Sequence, residues 1–221
     1  MGGHAGEAGT QGREEEAAGS EAAARGSGEG ELRPVRILAI SGSLRAASSN
    51  TALLRAAAAL APEGVEVALY EELASLPHFN PDLDDLDTAT APATVMDFRS
   101  CLQACEGVLI SSPEYAHGVP GTLKNAIDWV VSSGEIYEKP IALLNASMGA
   151  THAYASLMET LMTADADIVQ EASVRVGLPT NRIGAADIVA APELSGILRS
   201  AVTALAHAIE ARRAEAHGWD Q

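Results

Sequence analysis

Five apolar runs of strand length alternate with segments of helical period along this chain, and that alternation restricts it to few architectures. The runs lie at 35–40, 65–69, 107–111 and 140–145, with a weaker one at 168–176. Between them, 51–60, 94–106, 122–132 and 152–164 have the apolar spacing of helices long enough to cross back over a sheet, and 194–214 supplies a last helix. Continuous Val/Ile/Leu runs without polar alternation mark strands buried on both faces, the environment of a parallel sheet with helices on either side. Ligands in such sheets bind beyond the carboxyl ends of the strands, at the switch between the first and third. The loops after the first, third and fourth runs are therefore the segments to read for chemistry.

The first of these loops reads Gly42-Ser43-Leu44-Arg45-Ala46-Ala47-Ser48-Ser49-Asn50. A helix start leaves backbone N–H groups without partners and carries the positive end of the helix dipole, so an anion placed there meets donors and favourable field together. Ser43, Ser48, Ser49 and Asn50 add side-chain donors, and Arg45 adds charge in a planar fork suited to phosphate oxygens. Ordinary N-capping also uses Ser and Asn here, and a loop arginine is commonly just solvated. No Gly-Lys-Ser/Thr follows, and Gly42 lacks the companion glycines of a dinucleotide loop. A nucleoside triphosphate is disfavoured; a single phosphate is not.

The second loop reads Ser112-Pro113-Glu114-Tyr115-Ala116-His117-Gly118 and runs into Val119-Pro120-Gly121-Thr122-Leu123-Lys124-Asn125-Ala126-Ile127-Asp128-Trp129. Together with the first loop, this long motif resembles the NAD(P)H-dependent FMN reductases, a family that includes quinone, azo-dye and chromate reductases. The resemblance runs from about Arg36 to the neighbourhood of Gly177. It implies a flavodoxin-like, doubly wound α/β fold with a five-stranded parallel sheet in the order 2-1-3-4-5. It also implies bound FMN, NADPH or NADH as cosubstrate, and a homodimer or homotetramer. Acceptors in the family are small: flavins, quinones, azo compounds or oxidised metal ions.

Carried over residue by residue, the resemblance matches Ser43, Arg45, Ser48 and Asn50 to positions that hold the FMN phosphate, with Ser49 among them. Pro113, Glu114 and Tyr115 match the segment along the isoalloxazine, where backbone groups meet ring heteroatoms. Ala116 stands where relatives often carry Asn, so one side-chain contact is absent there, and His117 offers a substitute. In the third loop, Ser147 and Gly149 bring a hydroxyl and a small residue to the end of a strand, where backbone can approach the ring; an ordinary strand-to-helix turn has the same composition. His152 and Tyr154 follow in the next helix and are candidates for the border of a nicotinamide site.

Lys124, Asn125 and Asp128 fall at helical spacing, and either a solvated i,i+4 pair or a packing or subunit-contact role accounts for them. Trp129 is expected at a buried helix–sheet or subunit boundary. No Gly-x-Ser-x-Gly elbow, Cys–His arrangement or close carboxylate pair is present, so no catalytic side chain is assigned. That suits a flavin enzyme, in which the cofactor carries the chemistry and the protein supplies binding and electrostatics. A flavodoxin-type FMN electron carrier without nicotinamide turnover is the rival reading.

Residues 1–33 differ from the rest: Gly, Ala, Glu and Ser dominate, and Leu32 is the only large apolar residue after Met1. Such a segment cannot bury enough surface to offset its ordering entropy, so an acidic disordered tail is expected there, followed by the FMN-binding domain at 34–215. Glu14-Glu15-Glu16 in its middle argues against a secretory or mitochondrial leader. Seven Glu and three Arg give the tail a charge of −4, leaving −12 of the total −16 on the remainder, a field that repels nucleic acid. No apolar run is long enough to span a bilayer, and a cytoplasmic location is expected. Cys101 and Cys105 share a helical face with Phe98 and Leu102 and read as core thiols rather than a disulfide. The six His are scattered, and no metal site is expected. Arg175, Arg182 and Arg199 are read as surface arginines.

Overall fold

A computed structural model describes residues 2, 33–84 and 91–218. Apart from Gly2 and Arg33, the expected tail lies outside the described residues. Strands β1 (Val35–Ser41), β2 (Val65–Tyr70), β3 (Gly107–Ser111) and β4 (Pro140–Asn145) form a parallel sheet in the order β2-β1-β3-β4, continued on the far side of β4 by two short strands, β5 (Asp167–Ile168) and β6 (Val174–Arg175). This is the flavodoxin-like order 2-1-3-4-5. Every residue of β3 and β4 is buried, whereas edge strand β2 alternates between exposed and half-buried positions. The unbroken apolar runs are therefore the central strands.

The weak run at 168–176 is not one strand. A 3₁₀ turn at Gln170–Ala172 interrupts it, and the Ser173 hydroxyl accepts the Leu143 N–H (3.1 Å) and donates to the Val169 carbonyl (2.9 Å). A side chain thus fills the ladder position that the backbone vacates, and pairing resumes where Val174 and Arg175 lie opposite Leu144 and Asn145.

Helices α1 (Ser49–Ala59), α2 (Ala93–Ala104), α3 (Gly121–Val131), α4 (His152–Thr163), α5 (Ala185–Ala190) and α6 (Pro192–Gly218) cover the sheet. The strand period of two divides the core. Ile37, Ala39, Leu109, Ala142 and Leu144 pack with α1, α5 and α6 on one face. Leu38, Ile40, Val108, Ile110, Ile141 and Leu143 pack with α2, α3 and α4 on the other. Each fully buried Leu, Ile or Phe side chain contributes roughly 1.5–3 kcal/mol. Helix α1 begins two residues before the apolar pattern because Ser48 Oγ accepts the Thr51 N–H. Helix α5 was not expected; it is only six residues long, and the Asp187 carboxylate accepts the Gly184 N–H at its start.

Cys105 is buried but lies just past α2, as its C-cap in an extended conformation, while Cys101 is partly buried; both thiols are free. Burial pushes the Cys105 thiol up. In α3, Asn125 and Trp129 hold the chain before the 3₁₀ turn Pro81–Leu83: Asn125 Oδ1 accepts the Phe79 N–H, and Asn125 Nδ2 and Trp129 Nε1 both donate to the Pro77 carbonyl. Lys124 and Asp128 form the exposed i,i+4 pair. Among the described residues, no helix is long and apolar enough to cross a membrane, and no cluster of three metal-ligating side chains occurs.

Candidate functional site

The strand ends converge on one cleft because the loops after β1 and β3 are held together. Gly42 continues the ladder with its N–H on the Ser111 carbonyl (2.9 Å), and a Cβ on Gly42 would stand 2.6 Å from Ser112 Oγ and 3.1 Å from Leu123 Cδ2. The missing side chain is what lets the loops touch. Ser41 Oγ bonds Thr51 Oγ1 (2.8 Å) and accepts the Ser43 N–H, which shapes the turn out of β1. Asn50 is 7% exposed, and its Oδ1 accepts the Ser111 hydroxyl at 3.0 Å, tying the first turn of α1 to the end of β3. Ser48 caps α1, and the Ser49 and Asn50 N–H groups lie at the helix start, where no intrahelical carbonyl reaches them.

The loop after β3 is a tight hairpin. Tyr115 and Gly118 exchange both backbone hydrogen bonds (3.1 and 2.9 Å), and the two residues between them, Ala116 and His117, have φ of 50° and 61°. Such a turn needs two left-handed residues and favours Asn and Gly, so Ala and His carry strain here. Glu114, just before the hairpin, accepts the Ala153 N–H at 2.9 Å and so caps α4. The His117 and His152 rings stack with centroids 4.2 Å apart.

The loop after β4 is organised by Asn145, which is 4% exposed. Its Oδ1 accepts the Ser147 N–H (2.9 Å), its Nδ2 donates to the Ala150 carbonyl (2.7 Å), and Ser147 Oγ accepts the Gly149 N–H (3.2 Å). One buried amide fixes both ends of the turn.

The cleft has a volume of about 620 Å³ and is lined by the start of α1, residues 112–114, residues 145–150 and the segment after β6. That size lies within the ordinary range for small-molecule sites. Of the residues singled out from sequence, Ser49, Asn50, Pro113, Glu114, Ser147 and Gly149 line it. Ser43, Arg45 and Ser48 belong to the same β1–α1 loop but do not line the cleft, and Tyr115 and Ala116 lie in the adjoining hairpin. The Arg45 side chain is exposed and makes no hydrogen bond or ion pair among the described residues.

Sequence reasoning missed Ser112, Asn145, Gly177, Leu178, Thr180 and Asn181, all of which line the cleft. Asn145 carried a legible signal, a polar residue closing an apolar strand. Residues 177–181 carried none, and only the pairing of β6 with β4 brings them in. The lining holds hydroxyls, amides and backbone N–H groups without a nucleophile–base pair. It suits a ligand with an anion at the start of α1 and a flat, polar body against the loops after β3 and β4.

Residues 35–178 match the sequence model of a family described as NADPH-dependent FMN reductase, a span that contains all three loops. A NAD(P)H-dependent FMN reductase of Pseudomonas aeruginosa is 34% identical over 156 residues, covering 68% of this chain and 82% of the relative. A quinone reductase of Escherichia coli K12 is 29% identical over 154 residues, covering 67% and 81%. Among solved structures, FerB, a flavoenzyme NAD(P)H:(acceptor) oxidoreductase from Paracoccus denitrificans, superposes with a TM-score of 0.64 at 28% identity, over 80% of this chain and 97% of that one.

Proposed function

The chain belongs to the NADPH-dependent FMN reductase family, and on that premise we propose that its strand-end cleft is the FMN site, where NAD(P)H is oxidised and a small acceptor reduced. Its activity is that of an oxidoreductase with FMN as cofactor and NAD(P)H as reductant. The observation that carries the assignment to this cleft is the convergence of three loops from the switch point on one polar cavity of suitable size.

The phosphate is assigned to Ser43, Arg45, Ser48, Ser49 and Asn50. The open N–H groups at the start of α1 and the partnerless Arg45 guanidinium fit that group. The ring is assigned to Pro113, Glu114, Tyr115 and Ala116 on one side and to Ser147 and Gly149 on the other, chiefly through backbone. Bound FMN supplies the hydride acceptor and the onward transfer of electrons. The chain's own work is orientation. Asn145 keeps 146–150 in shape, and Glu114 anchors the loop after β3 to α4.

The acceptor is a flavin, quinone, azo compound or oxidised metal ion. We assign a cytoplasmic location, supported by two free thiols and by the reduced dinucleotide the reaction consumes. We assign a homodimer or homotetramer, on the family resemblance. A flavodoxin-type carrier shares the fold, and membership of a reductase family disfavours it. The test is the visible spectrum of the FMN-loaded protein under anaerobic NADPH or NADH. Rapid bleaching is expected; a yellow spectrum that persists with both contradicts the reading.

A further inference from the structure

The segment that closes the cleft beyond β4 carries two arginines that the FMN assignment above does not use. Arg175 ends β6 opposite Asn145 in the ladder, and its guanidinium carbon lies 5.3 Å over the Tyr154 ring. Gly177, Leu178, Thr180 and Asn181 then line the cleft. Arg182 follows directly, with its backbone N–H on Thr180 Oγ1 at 3.3 Å. Both arginines are exposed.

The chain has 30 Asp and Glu against 14 Lys and Arg, and half of its described cations, Arg36, Arg45, Lys139, Arg175, Arg182 and Arg199, form no ion pair among the described residues. Arg33, Arg55, Arg99, Lys124, Arg212 and Arg213 each pair with a carboxylate. Among the described residues, Arg175 and Arg182 pair with none. In a strongly acidic protein, two unneutralised guanidinium groups flanking the cleft-lining residues 177–181 create a local positive field that attracts anions. The cation–π contact with Tyr154 also restrains Arg175, so that less side-chain freedom is lost on binding.

On the assignment above, the FMN phosphate sits at the start of α1, away from these arginines. With strands about 4.8 Å apart, β6 lies roughly 14 Å across the sheet from β1, in the order β1-β3-β4-β6. An anion there belongs to a ligand entering from the opposite side of the ring site. The nicotinamide dinucleotide has such groups: a diphosphate in both forms and a 2′-phosphate in NADPH. Resting on the FMN-site reading above, we infer that Arg175 and Arg182 receive a phosphoryl group of the nicotinamide dinucleotide and set its affinity. Neither residue takes part in the electron transfer; both position the cosubstrate.

The test uses the full chain loaded with FMN, as wild type and as Arg175→Gln, Arg182→Gln, the double variant and Arg175→Lys. Binding of NADP⁺ and NAD⁺ to the oxidised protein is measured by calorimetry, KM and kcat for NADPH and NADH with a fixed benzoquinone acceptor, and the FMN dissociation constant separately. The double variant is expected to weaken dinucleotide binding about tenfold or more and to raise KM in parallel, with kcat at saturation and FMN retention little changed and Arg175→Lys retaining part of the affinity. Loss for both dinucleotides assigns the diphosphate; loss for NADP⁺ alone assigns the 2′-phosphate. Wild-type affinity for both in the double variant overturns the inference, as does a loss of FMN of the same size. A wild-type protein that neither retains FMN nor is reduced overturns the parent reading and this inference together, whereas normal reduction with unaltered affinity overturns this inference alone.

Discussion

The Glu114 carboxylate, in the loop after β3, accepts the backbone N–H of Ala153 in the first turn of α4 at 2.9 Å. Thr151, the residue before α4, provides no side-chain cap, so the helix takes its cap from across the cleft. Glu114→Ala is expected to cost about 1 kcal/mol of stability and to weaken FMN binding, because residues 113–115 lose their anchor. Glu114→Gln keeps an acceptor oxygen and most of both properties. Denaturant unfolding and FMN titration check this, and an Ala variant equal to wild type in both removes the anchoring role.

The hairpin between Tyr115 and Gly118 stores strain in Ala116 and His117, both at positive φ. Asn and Gly occupy that conformation at less cost. Ala116→Asn and Ala116→Gly should each stabilise the protein, by about 0.5–1 kcal/mol. A lower midpoint in thermal unfolding for both variants would show that the turn is relaxed with alanine in place.

Arg45→Ala separates binding from folding. The side chain is exposed and makes no hydrogen bond or ion pair among the described residues, so stability without FMN should not change. FMN affinity should fall by about 1.5–3 kcal/mol as a charge-assisted contact is lost. Fluorescence titration that gives the wild-type dissociation constant takes Arg45 out of the phosphate site.

Two carboxylates make the fold sensitive to acid. Burial alone would raise the Asp84 carboxyl, but hydrogen bonds from Ser132 and Arg99, with the Arg99 charge, outweigh it and hold the group below its usual range. Glu106 behaves alike: burial is outweighed by Arg213, the Arg36 backbone N–H and Arg33. Both groups take up protons at lower pH in the folded chain than in the unfolded one. Their stabilisation is therefore complete above the ordinary carboxylate value of about 4 and is lost as pH falls through the folded values. Unfolding free energy measured against pH should fall below about pH 4, with a shallower fall in Asp84→Asn. An identical slope in that variant contradicts the assignment. At neutral pH, Arg99→Met leaves the buried Asp84 and Glu135 carboxylates facing each other's charge without a cation, and a loss of about 3–5 kcal/mol is expected.

The strands that organise the sheet were readable because burial on both faces leaves an uninterrupted apolar run; 107–111 and 140–145 match β3 and β4 residue for residue. The split between β5 and β6 was not, because it depends on the Ser173 hydroxyl finding the ladder of a strand thirty residues earlier. The same limit applies at the site. The Ser and Asn residues around α1 announced themselves by type and position at a helix start. Glu114 read as a neighbour of the ring, and its bond to α4 depends on a partner 39 residues away. The 177–182 segment has no motif, and its place at the cleft comes from the pairing of Val174 and Arg175 with β4.

The most direct test of the FMN site is the crystal structure of the protein loaded with FMN. The phosphate is expected within hydrogen-bond distance of the 43–50 loop and the first N–H groups of α1, with the ring against residues 113–116 and 147–149. A phosphate bound at any other place, or a ring outside the strand-end cleft, contradicts it.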